Sequence, residues 1–171
     1  MGVTKIIDMD NSICVLDIET TGLEPAESEI IEIFILKVEK KVVIDEFYSL
    51  FKPSVRITNS HIHGITDEKV ANSPSLKDKA DEILNFIEEC ILMGHNIDNF
   101  DLKFLNYYLQ KNLSNPTIDT LNMSRSKLGN KVKNHKLSTL AKYFNVVSPT
   151  HTARDDVLTT FEVYKKLSSI Q

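Results

Sequence analysis

Along residues 12–18 apolar side chains fill both sets of alternating positions, the pattern of a strand covered on both faces, which predicts a central place in its sheet. Two further runs, residues 30–38 and 41–51, are rich in β-branched and aromatic side chains. Only Glu39 and Lys40 separate them, so they read as an antiparallel hairpin. The period then changes. Behind Pro74, Ser75 and Asp78 stand at capping-box spacing, and Leu76, Ala80, Ile83, Leu84, Ile87 and Ile91 recur at helical intervals. A short apolar run over residues 91–93 leads into Gly94, His95 and Asn96, and a second helical segment covers residues 100–111. Residues 116–119 read as a short strand, residues 137–144 as a helix, and residues 153–167 as a last helix with Val157, Phe161, Tyr164 and Leu167 on one side. Leading strands followed by alternating helices and short strands predict an α/β fold, a mixed sheet flanked by helices.

No repeat, low-complexity run or linker interrupts the 171 residues, so residues 1–171 are read as a single domain with a real core. Hydrophobic and charged fractions of 42% and 26% are ordinary for a folded globular chain and exclude disorder as the default. The longest apolar stretch is interrupted by Glu32 and falls far short of the roughly 20 residues a membrane span needs, so no membrane partner is expected. The first residues lack the order of a secretory leader, and Ile6 stands where an N-myristoylation pattern wants Ser or Thr; a cytoplasmic location is expected. Cys14, in an apolar strand, and Cys90, near the end of a helix, read as packed reduced thiols. His61 and His63 have no further ligand at metal spacing and read as loop residues.

The acids are the chemically informative residues. Asp17 and Glu19 sit two apart at the end of the central strand and therefore project to one side of it. Two anions there repel unless a cation neutralises them, and hard oxygen ligands suit magnesium or manganese, although solvated strand-end acids are the plainer account of a bare pair. A second group, Asp98 and Asp101, lies where an apolar run gives way to a helix, and capping that helix would explain either. In a third, His151 precedes the last helix and Asp155 and Asp156 fall in its opening turn. Neighbouring helix residues point about 100° apart, so only one of these two acids can face a shared site.

In this combination and order the three groups resemble the DEDDh group of 3′→5′ exonucleases. That family carries an Asp-x-Glu followed by Thr-Gly, then an Asp after His-Asn and Phe, then a His with an Asp five residues on. Read onto this chain, those positions are Asp17, Glu19, Asp101, His151 and Asp156. The segments 30–33, 63–66 and 118–121 also look like the proofreading exonuclease domains of bacterial replicative polymerases. One departure is that three residues separate Asn96 from Phe100 where the commoner pattern has two. Asp101 is preferred to Asp98 because it keeps the Phe-Asp pair, and Asp156 to Asp155 by the five-residue spacing.

The resemblance implies a ribonuclease H-like sheet, three leading antiparallel strands and then shorter parallel ones. It also implies that Asp17, Glu19, Asp101 and Asp156 hold two divalent ions, Mg2+ or Mn2+, with His151 as general base and nucleoside 5′-monophosphates as product. Thr20, Thr21, Gly22 and Leu23 would meet the 3′-terminal nucleotide, with Leu23 wedged against its base, Phe100 as a stacking face, and His95 and Asn96 nearby. The implied substrate is the 3′ end of single-stranded nucleic acid, DNA before RNA, with a DNA polymerase as the expected partner if the activity is proofreading. A non-catalytic binding module is the reading from another class, and the five matched positions weigh against it. The net charge of −4 is compatible with a polyanionic substrate because bound metals would carry the positive charge. Arg125, Lys127, Lys131, Lys133 and Lys136 read as a solvated basic loop that would also guide the strand.

Overall fold

β1 (Ile13–Thr20) is central in a five-stranded sheet of order β3-β2-β1-β4-β5, with β2 (Ile30–Glu39) antiparallel to it on one side and β4 (Ile91–Gly94) parallel on the other. β3 (Val42–Leu50) closes the antiparallel edge and β5 (Thr117–Asp119) the parallel one. These statements come from a computed structural model, which describes residues 12–170; the reading of the first residues as free of leader and acylation signals concerns positions outside that range. The mixed sheet matches the expected fold class. The hairpin turn is Lys40 and Lys41, both at positive φ (48° and 68°), as a two-residue connection between twisted strands requires, so the second strand begins at Val42 and not at Lys41.

Two short helices, α1 (Ser60–His63) and α2 (Asp67–Val70), follow the hairpin; four residues are too few to display a period in sequence. α3 (Leu76–Phe86) begins with both halves of the Ser75/Asp78 capping box in place. It ends earlier than the apolar spacing suggests, because Glu89 turns to positive φ (57°) and Ile91 opens β4; Cys90 therefore lies in the connection, not in the helix. Both thiols are free and buried, each directed at the Phe86 carbonyl oxygen. α4 (Asp101–Tyr108) is shorter than residues 100–111, with Gln110 at positive φ (50°) just beyond it.

α5 (Thr120–Leu128) corrects the reading of a basic loop: Arg125 and Lys127 are helical, and only Lys131, Lys133 and Lys136 fall in the turn and loop beyond it. The helix escapes a periodicity search because few apolar side chains mark it, and its start depends on Asp119, whose side chain accepts from the Leu121 N–H at 2.9 Å. α6 (Leu137–Phe144) and α7 (Ala153–Ser168) complete the chain. No helix among the described residues is long and apolar enough to cross a membrane.

The alternation along β1 divides the core. Cys14, Leu16 and Ile18 join Ile33, Ile35 and Leu92 in packing against Ile83, Phe104 and Leu105 of α3 and α4. Val15 turns the other way and joins Phe34, Leu36 and Met93 beneath Ala153, Val157 and Phe161 of α7. Asp17 and Glu19 continue the Val15 row, so at its far end the strand offers two acids to the face that α7 covers. Gly94 lets β4 end close to β1: a Cβ there would lie 2.9 Å from Ile97 Cβ and 3.1 Å from the Leu16 carbonyl oxygen.

Candidate active site

Carboxylate oxygens of Asp17, Glu19 and Asp156 lie within 4.8 Å of one another. Thr152 caps α7, its hydroxyl accepting from the Asp155 N–H, and the two neighbouring acids then part. Asp155 takes the Thr150 hydroxyl at 2.6 Å, whereas Asp156 turns inward. One Asp156 oxygen, Oδ1, accepts the main-chain N–H groups of Thr150 (3.1 Å) and His151 (3.2 Å), which fixes the carboxylate. His151 itself is exposed and held at positive φ (61°).

Asp101 opens α4, is 3% exposed, and has an oxygen, Oδ1, that is buried with no hydrogen-bond partner among the described residues. It lies near enough to Asp17 to push that carboxyl upward. Asp98 is exposed and does not cap α4, whose N-cap is Phe100 with no side-chain bond. The loop from His95 to Asp98 is instead fastened by Asp119, which accepts from the Asn96 N–H at 3.0 Å and the Asp98 N–H at 3.5 Å. Beyond its place in the segment 118–121, nothing in the sequence marks Asp119 for this fastening role.

The remaining predicted contacts are arranged as follows. Thr20 donates its hydroxyl to the Gly22 carbonyl at 2.5 Å, and Thr21 Oγ1 accepts the Glu29 N–H at 2.9 Å, so both hydroxyls shape the loop after β1. Gly22 stands close to Ser28, since a Cβ there would run into Ser28 Oγ, lie 3.3 Å from its Cβ and make the serine side chain shift. Leu23 is 78% exposed at the tip. Asn59 donates to the Thr20 carbonyl at 2.9 Å and contacts His63 Nε2 at 3.1 Å, giving that buried histidine a structural role; His61 is exposed. His95 Nδ1 lies 2.9 Å from Thr120 Oγ1, Asn96 takes positive φ (67°), and Phe100 is half-buried against Phe104 with ring centroids 5.1 Å apart.

Burial and mutual repulsion push these acids up. Asp17 is driven well above the usual carboxylate range by burial, then by Asp101, Asp156, Glu19 and Glu32. Glu19 is pushed up to about 8 by burial and by Asp156, Glu32 and Asp101. Burial lifts Asp101 to about 7 against the pull of the Asp101 and Ile18 main-chain N–H groups, and lifts Asp156 against those of Thr150 and His151. An all-oxygen donor set with an orphaned buried carboxylate oxygen fits a hard divalent cation such as Mg2+ or Mn2+.

A stability consequence follows with a definite sign. Between 4.5 and about 8 the folded protein retains a Glu19 proton that the unfolded chain has lost, so this group withdraws stability as pH rises through that window. The thermal midpoint of the metal-free protein is expected to fall across it and to recover at the upper end on addition of magnesium. Calorimetry with and without magnesium checks this; a midpoint flat in pH and indifferent to the ion contradicts it.

Residues 14–164 match the RNase T family model, described as an exonuclease. The chain is 37% identical over 163 residues to the PolC-type DNA polymerase III of Thermotoga maritima, covering 91% of this chain and 12% of that polymerase. It is 36% identical over 144 residues to the Bacillus subtilis counterpart, covering 80% of this chain and 10% of that one. The chain thus spans about a tenth of the length of these relatives. Among solved structures, E. coli exonuclease I in complex with a dT13 oligonucleotide superimposes with a TM-score of 0.80 at 18% identity, over 95% of this chain and 42% of that one. The zinc-bound form of the E. coli exonuclease I complex with single-stranded DNA gives 0.82 at 18%, over 95% and 41%. At that identity the likeness concerns the fold.

Proposed function

Because the chain belongs to the RNase T exonuclease family, we propose that it removes nucleotides one at a time from the 3′ end of single-stranded DNA. The observation that carries this reading is the meeting of Asp17 and Glu19 with Asp156, residues far apart in sequence, in one carboxylate cluster. Asp17, Glu19, Asp101 and Asp156 would hold two ions, Mg2+ or Mn2+. When bound, the ions offset charge on the scissile phosphate and lower the pKa of the attacking water.

The chain's own groups do the rest. His151 takes the proton as the water oxygen attacks phosphorus and, being exposed, passes it to solvent. The bond from phosphorus to the 3′ oxygen of the preceding nucleotide breaks, and that oxygen takes a proton from solvent, leaving a 3′-hydroxyl on the shortened strand and a nucleoside 5′-monophosphate. Leu23 and Phe100 give the last base apolar contacts, and the close turn at Gly22 brings main chain up to the sugar. His95 and Asn96 border the same entry, and Thr20 and Thr21 meet the terminal nucleotide through main chain and through the hydroxyl capacity that the loop bonds leave open, the Thr21 O–H above all. DNA is favoured over RNA, and proofreading beside a polymerase is the favoured setting, because the relatives are DNA polymerases.

Matched DNA and RNA oligonucleotides, labelled at either end and incubated with and without magnesium, test the proposal. Early loss of the 3′ label from DNA, only with magnesium, is expected. Release of the 5′ label first, or degradation in excess chelator, sinks it, and faster loss from RNA moves the substrate to RNA.

A further inference from the structure

We propose that Glu32, held by Tyr48, is a positioning residue that sets the first turn of α7 and through it Asp156. The inference rests on the proposed function for its catalytic meaning. Glu32 lies on β2 directly opposite Glu19 in the antiparallel register, and it is 5% exposed. Burying an anion without a counter-charge costs stability, and no ion pair to Glu32 occurs among the described residues. Its two oxygens have separate tasks. Oε2 accepts the N–H of Ala153 at 3.0 Å across 121 residues of sequence, and Oε1 accepts the hydroxyl of Tyr48 on β3 at 3.1 Å.

Ala153 is the first residue of α7, where main-chain N–H groups lack partners within the helix and the helix dipole favours an anion. The next residue extends the clamp. Arg154 reaches Glu46 of β3 with both terminal guanidinium nitrogens, at 3.2 and 3.3 Å, and lies 5.1 Å from the centroid of the Phe34 ring. Asp156 follows within the same turn, so a shift or rotation of that turn carries its carboxylate away from Asp17 and Glu19. The Tyr48–Glu32–Ala153 chain thereby ties the hairpin edge of the sheet to the geometry of the carboxylate cluster.

Two substitutions separate geometry from charge. Glu32→Gln keeps an oxygen for Ala153 and turns an amide N–H toward the Tyr48 oxygen. Glu32→Met fills similar space and accepts nothing. Mn2+ titration followed by electron paramagnetic resonance reads affinity without turnover, and steady-state assays on a single-stranded oligonucleotide give kcat and KM. Glu32→Met is expected to weaken Mn2+ binding about tenfold or more, within the range for lost outer-shell support, and to lower kcat with KM little changed. Glu32→Gln is expected to stay within about threefold of the parent on each.

Parent-like Mn2+ affinity in Glu32→Met overturns the inference, as does a loss in Glu32→Gln as large as in Glu32→Met. Should Glu32→Met fail to fold by circular dichroism, Tyr48→Phe decides, because Tyr48 is half exposed and its ring can stay in place. A severalfold loss of Mn2+ affinity then supports the relay and no change overturns it. If the parent binds Mn2+ with the expected pattern among variants yet degrades no oligonucleotide, the proposed function fails and the role of Glu32 stands. A parent that binds no Mn2+ overturns both.

Discussion

Asp17→Asn is expected to lower kcat by about 10³-fold or more while raising the thermal midpoint of the metal-free protein. Asp17 is the acid most crowded by others: burial lifts its carboxyl, and Asp101, Asp156, Glu19 and Glu32 all lift it further. The amide removes that repulsion and keeps the shape, so the apo fold gains. The same change removes the charge that joins both arms of the cluster, and a 10³-fold loss is roughly 4 kcal/mol, the size of the charge stabilisation bound ions supply. Opposite effects on stability and rate mark a group kept for function and not for folding. Chelator-treated protein in a calorimeter and single-turnover cleavage in magnesium read the two quantities. A variant that is both less stable and fully active would place Asp17 among ordinary structural residues.

The second large effect belongs to His151, where the replacement has to respect the backbone. The residue sits at φ 61°, a region asparagine tolerates better than most side chains, so His151→Asn removes the imidazole without straining the loop whose N–H groups hold Asp156. Loss of a general base costs typically 10²- to 10⁴-fold, and kcat is expected to fall within that range. Mn2+ affinity and thermal stability are expected to remain those of the parent, because the ring is exposed. Activity within tenfold of the parent would show that another group receives the water's proton.

Some of this was legible in residue order. The two-sided apolar run of β1 announces a buried strand, and the Ser75/Asp78 box announces α3, because each signal is local. What depends on the third dimension was hidden. α5 has little apolar periodicity and starts from an Asp119 cap, so its basic residues read as loop, and α1 and α2 are too short to show a repeat. The acids themselves were visible, and the helical step already parts Asp155 from Asp156, but the hold that the Thr150 and His151 N–H groups have on the Asp156 carboxylate lies outside any helical pattern. Glu32 was least legible. Inside an apolar strand it reads as an interruption, and its meaning emerges only once β2 pairs with β1 and a helix from the other end of the chain arrives above it.

That late arrival bears on biosynthesis. On a ribosome, β1 and the hairpin emerge well before α7, and until then Val15, Phe34, Leu36 and Met93 have no cover from Ala153, Val157 and Phe161. That sheet face therefore stays uncovered while residues 94–152 are being made. Over the same interval Asp17 and Glu19 lack Asp156, so the carboxylate cluster is incomplete until α7 has been made.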